Sequence, residues 1–188
     1  MKQKNKWLLL SGLGLMIAGL CLVLLFTGSQ TRWQKQASSI VRQIEAALPE
    51  RTPGVPEAYV KNHMPALQLQ GQDFIGLVEI PAYGVKLPLC GSWKPGNVNR
   101  FPCRFSGSVY DSSLILGGSA SQLACLKTVS HGDVVTVTDL QGRVYSYQVT
   151  NIRRADNAKA ETLGRDDANL VLFIRDLYTM EYIIVACN

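Results

Sequence analysis

A run of twenty residues without a charge, beginning at Trp7 and ending at Phe26, dominates the start of the chain. Leu, Ile, Val, Met and Phe fill it, with Gly and Ser interspersed. At about 1.5 Å rise per residue such a helix spans the roughly 30 Å hydrocarbon layer of a bilayer. The pattern then turns polar over residues 27–36. Ile40, Val41, Ile44 and Leu48 recur at helical spacing, which predicts an amphipathic helix over 38–48. Ser38 or Ser39 would cap it and Pro49 would end it. An apolar face so placed packs on the chain's own domain or on lipid headgroups. Pro49, Pro53, Pro56 and Pro65, with Gly54, then mark a linker.

From Phe74 the hydrophobic period shifts toward two. Residues 74–80 and 85–89 read as strands around a Pro-Ala-Tyr-Gly turn, and 113–117 as a short buried strand. Residues 119–127 read as one or two helical turns. Residues 134–139 and 144–149 form a hairpin across Leu140, Gln141 and Gly142, and 169–174 and 182–187 are the last strands. Short strands with Gly and Asp turns and little helix predict a mostly β protein, a small closed barrel with short helices. The expected organisation is a basic cap at 1–6, a transmembrane helix at 7–26, an exit segment, helix and Pro-rich linker at 27–73, and a barrel domain at 74–188.

Charge adds a direction. Of the net +5, Lys2, Lys4 and Lys6 supply three, so the rest of the chain is near neutral and nucleic acid is not an expected partner. The lysines flank one end of the apolar run closely, while Arg32 and Lys35 lie well past the other. This puts the N-terminus in the cytoplasm and the domain outside the cell, held by a single pass. A cleaved signal peptide competes, but the run is long for one and no small-x-small site follows it.

Five cysteines are present, and outside the anchor Cys90, Cys103, Cys125 and Cys187 allow three full pairings. His63 and His131 are too far apart in sequence to point to zinc. No cofactor is expected. Arg153-Arg154 and Arg165-Asp166-Asp167 read as a solvated loop of mixed charge.

Three blocks resemble sortases, the membrane-anchored cysteine transpeptidases of Gram-positive cell surfaces. Ile75-Gly-Leu-Val-Glu-Ile-Pro-Ala-Tyr-Gly-Val-Lys-Leu-Pro-Leu89 is similar to the opening strand, Ile-Pro turn and second strand. Pro102-Cys-Arg-Phe-Ser-Gly-Ser108, followed by Ser113-Leu-Ile-Leu-Gly-Gly118, resembles the approach to the family's Ala-Gly-His motif. Leu170-Val-Leu-Phe-Ile-Arg175 and Tyr182-Ile-Ile-Val-Ala-Cys187 resemble the Cys-bearing and Arg-bearing strands. The order and spacing are closest in flavour to class B or clostridial-type sortases.

The resemblance implies a Cys nucleophile, a His proton donor and an Arg that stabilises the oxyanion. In this sequence the His position falls on Gly118, the Cys position on Arg175 and the Arg position on Glu181 or Tyr182. None of these can form a thioester, and losing one member of such a set already costs orders of magnitude in rate. Two other thiols come into question as displaced nucleophiles. Cys103 stands beside Arg104, a cation that could lower its pKa, and Cys125 lies among Leu123, Ala124 and Leu126. For both, a structural role is the stronger reading. Cys187, ending the last strand, is a candidate half-cystine. His131 reads as a solvated turn residue and His63 as a linker residue. Arg175 would pair with Asp176, Glu181 or another acid, or serve as an anion site in the former cleft.

The expectation is therefore a membrane-anchored, extracytoplasmic pseudosortase that binds a surface-protein or cell-wall partner, such as a sorting-signal peptide, a pilin or an active sortase. The alternative is a divergent active sortase using a displaced Cys. A third reading makes the barrel an incidental part of a structural receptor or signalling stalk.

Overall fold

The structure, a computed structural model, describes residues 2–56, 64–164 and 167–188, without the side chains of 2–11, 21–33, 160 and 161. The chain divides into two compact units, one ending at Gln36 and the other beginning at Ala37. Helix α1 spans Lys2–Ala47. Residues 27–36 are thus helical rather than a polar exit, and Ser38 and Ser39 lie inside the helix, not at a cap. Gln, Lys and Arg are good helix formers, and no proline interrupts α1 before Pro49. The expected membrane span at 7–26 lies within α1, but the side chains of 7–11 and 21–26 fall outside the described residues. Among the described residues no helix is long and apolar enough to cross a membrane.

Among the described residues the second unit holds ten strands: β1 (Thr52–Pro53), β2 (Leu67–Leu69), β3 (Gln72–Ile80), β4 (Val85–Cys90), β5 (Cys103–Ser106), β6 (Leu114–Gly118), β7 (Val134–Asp139), β8 (Arg143–Ala155), β9 (Leu170–Arg175) and β10 (Tyr182–Cys187). Eight of them close a ring in the order β8-β10-β9-β6-β5-β4-β3-β7, and β7 pairs back onto β8. The barrel matches the predicted class. β8 extends well beyond the expected 144–149. Its first half pairs with β7 and its second half with β10. Arg153 and Arg154 therefore sit on a strand and not in a loop, while Arg165 and Asp166 lie outside the described residues.

Alternation along the strands separates two sides. Leu170, Leu172 and Ile174 of β9, Ile183 and Val185 of β10, and Leu114 and Leu116 of β6 fill the barrel interior. On the outside, Ala37, Ile40, Val41 and Ile44 of α1 pack on Phe74, Leu77, Cys90, Phe101 and Cys103, as their helical spacing predicts. Fully burying an isoleucine contributes about 1.5–3 kcal/mol. Lys86 adds charge at the end of this helix, 2.7 Å from Glu45 and 3.3 Å from Glu79.

Candidate functional site

The ends of β6, β9 and β10 bring the resemblance positions together. Gly118 is the register partner of Ile174 across the parallel β6–β9 pair. Tyr182 stands opposite Arg175 across the antiparallel β9–β10 pair. The register thus sets Tyr182, and not Glu181, beside Arg175. Since Leu172 and Ile174 point into the barrel, Phe173 and Arg175 face outward.

Arg175 is exposed. Its Nε donates to the Met180 carbonyl at 3.4 Å, and its guanidinium lies 5.9 Å from the centroid of the Tyr182 ring. A guanidinium over an aromatic face at this range is held by the ring quadrupole. The ion pair expected between Arg175 and Asp176 or Glu181 does not form. Asp176 instead takes Lys127 at 2.9 Å and Arg154 at 3.9 Å, and Glu181 takes Arg154 at 3.5 Å. The Tyr178 backbone N–H, then Lys127, hold the Asp176 carboxyl below its ordinary pKa.

Beside Gly118, Gly117 opens room for aromatic rings. A Cβ at Gly117 would lie 2.5 Å from both Trp93 Cζ3 and Phe173 Cζ. Trp93, 40% exposed, packs on Phe105 with centroids 5.3 Å apart and on Phe173 at 5.4 Å. Phe173 continues to Tyr182 at 6.3 Å. An aromatic row thus runs over the outer face of β5, β6, β9 and β10 and ends at Arg175. Next to it, Gly91, Trp93, Arg104, Phe105, Ser106 and Gly107 line a depression of about 270 Å³. Sequence reasoning missed Trp93, although an aromatic between Gly91 and Pro95 was a visible signal.

The candidate thiols are buried or half-buried. Cys103 is fully buried on the α1 side of the barrel wall. Its pKa is raised, not lowered, because its thiol hydrogen-bonds to Cys90 and is desolvated. Cys125 is half-buried against the barrel core, and burial pushes its pKa up. Cys187 is buried in the same core as a free thiol, pushed up to about 12. His131 is exposed in the turn before β7, and His63 lies outside the described residues. Among the described residues no three His, Cys, Asp or Glu side chains gather as a metal site.

No family model and no curated protein matches the sequence. Solved structures do. Sortase C from Clostridium perfringens SM101 aligns over 85% of this chain and 86% of its own, at 16% identity and a TM-score of 0.53. The fold is that of a sortase. Sortase C1 from Streptococcus agalactiae aligns over 64% of this chain and 69% of its own, at 19% identity and a TM-score of 0.52. Clostridium perfringens sortase C with the C-terminal cell wall sorting motif aligns over 84% and 85%, at 14% identity and a TM-score of 0.53. Likeness at these identities establishes the sortase architecture and leaves the chemistry to the residues at the site.

Proposed function

We propose that this chain is a membrane-anchored, extracytoplasmic pseudosortase: a sortase-fold module that binds a surface-protein or cell-wall partner and forms no acyl-enzyme. One observation carries the reading. The adjacent positions at the ends of β6, β9 and β10 hold Gly118, Arg175 and Tyr182, which offer no thiol and no imidazole. Arg175 still offers a cation with free access to solvent, suited to a peptide carboxylate. The aromatic row beside it offers apolar surface. The solved sortase C with its sorting motif supports a sorting-signal peptide as the class of ligand. The charge-free residues 7–26 and the flanking Lys2, Lys4 and Lys6 support the anchor and its orientation.

The test uses the full-length chain in detergent micelles with labelled sorting-signal peptides. Saturable binding is expected, weakened several-fold in Arg175→Glu, with no covalent adduct by mass spectrometry. A thioester-linked peptide on any cysteine would overturn the proposal in favour of a displaced nucleophile. Absence of binding to every sorting peptide would favour a structural stalk.

A further inference from the structure

Cys90 and Cys103 are direct register partners where β4 runs parallel to β5. Both are completely buried, and both sit in the cluster formed with Ile40, Ile44, Phe74 and Phe101. Paired positions on neighbouring strands share a face, with backbones about 4.8 Å apart. Both cysteines are free thiols here, and a disulfide spans Cα separations of roughly 4.4–6.8 Å, a range that includes this spacing. The two side chains are already in hydrogen-bond contact.

The surroundings act differently on the two sulfurs. The Cys103 thiol, foremost, lowers the pKa of Cys90 through this hydrogen bond. Asn97 Nδ2 also points at Cys90 Sγ from 3.3 Å, and Ser92 assists. The same contact, followed by burial, raises Cys103. Cys125 and Cys187 belong to the barrel interior on the far side of the wall.

We propose that Cys90 and Cys103 form an intrachain disulfide that staples β4 to β5 and fixes both ends of the loop carrying Trp93. The oxidant is a disulfide, either a small molecule such as oxidised glutathione or a thiol-disulfide oxidoreductase. One of the two cysteines, as its thiolate, attacks one sulfur of that disulfide, forming a mixed disulfide and releasing one thiolate. The sulfur of the other cysteine then attacks that of the first and releases the second thiolate. Two protein thiols are oxidised, the oxidant is reduced to two thiols, and both protons end on the released sulfurs. Complete burial confines the reaction to a folding intermediate, before α1 covers the pair. Once formed, the bond is shielded from reductant.

In the cell this chemistry rests on the extracytoplasmic placement proposed above, whereas refolding in a glutathione buffer tests the pair without it. The full-length chain is reduced, unfolded in urea and diluted into detergent micelles containing oxidised and reduced glutathione. It is then alkylated, digested and analysed by mass spectrometry. The expected product links the peptides of Cys90 and Cys103, lighter by two hydrogens, with Cys125 and Cys187 alkylated. The chain refolded without oxidant should melt roughly 10 °C below the chain refolded with it, and the Cys103→Ser variant should show no such difference. Alkylated or glutathione-capped Cys90 and Cys103 in the refolded wild-type chain would overturn the proposal. So would linkage of either to another cysteine. None of these outcomes depends on peptide binding, so this proposal and the pseudosortase reading fail separately.

Discussion

Arg175 and Tyr182 face each other across β9 and β10, with the guanidinium 5.9 Å from the phenol ring centroid. The two strand-end positions hold an exposed cation and the ring it rests beside. Placing a sulfur there alone should achieve little. Arg175→Cys is expected to leave peptide cleavage at least about a thousandfold below that of an active sortase, because Gly118 brings no proton donor. A discontinuous cleavage assay with the full-length variant decides this. Turnover approaching that of an active enzyme would show that a proton donor lies elsewhere.

Gly117 is expected to tolerate no side chain. Its Cβ would meet Trp93 and Phe173 at 2.5 Å, and Phe173 is buried and cannot retreat. Gly117→Ala should cost about 1–3 kcal/mol in urea unfolding, the usual range for overpacking. It should also push Trp93 into water. With Trp7 and Trp33 replaced by Phe, the remaining fluorescence should shift to the red. An unshifted spectrum would mean that the ring does not rest on Gly117.

Acid should weaken the corner held by Asp176. The folded pKa of Asp176 is depressed, first by the Tyr178 N–H and then by Lys127. Its stabilisation is therefore complete above the unfolded value of about 3.9 and fades as pH falls through the lower folded value. Asp176→Asn should be less stable than wild type at neutral pH, and the gap should close on acidification. Urea midpoints of both proteins across that range provide the check. A gap independent of pH would rule out the charge as its source.

Tyr110 Oη donates to Asp139 Oδ2 at 3.1 Å, and both residues are buried. Backbone N–H groups of Gln141 and Arg143 supply the other carboxylate oxygen. Tyr110→Phe removes one donor from a buried carboxylate and should destabilise the chain by about 1–3 kcal/mol. Chemical denaturation measures it. A neutral result would mean that water replaces the phenol.

The barrel was legible because its central strands alternate. Leu170, Leu172 and Ile174 go in while Val171 and Phe173 go out, and that rhythm is written in residue order. The second half of β8 was not legible. Thr150, Asn151, Arg153 and Arg154 form a mostly polar stretch, and only pairing with β10 makes it a strand. β5 was hidden for a similar reason, since Cys103-Arg104-Phe105-Ser106 is too short to show a period. Gly118, Arg175 and Tyr182 come to neighbouring places because each terminates a strand whose pattern is recognisable. Trp93 was not legible, because it sits in an aperiodic loop and reaches the cleft through tertiary contacts. The neighbourhood of Cys90 and Cys103 likewise depends on strand order, which no local pattern encodes.

Strand β10 is the bridge between β8 and β9, and the ring has no other link there. A nascent chain that ends before residue 182 therefore carries two bare hydrogen-bonding margins flanking an apolar interior, a template for self-association. β6 must also wait for β9, more than fifty residues later, and β3 for β7. Such remote pairings slow assembly, so the molecule acquires its sealed wall only after β10 has been made.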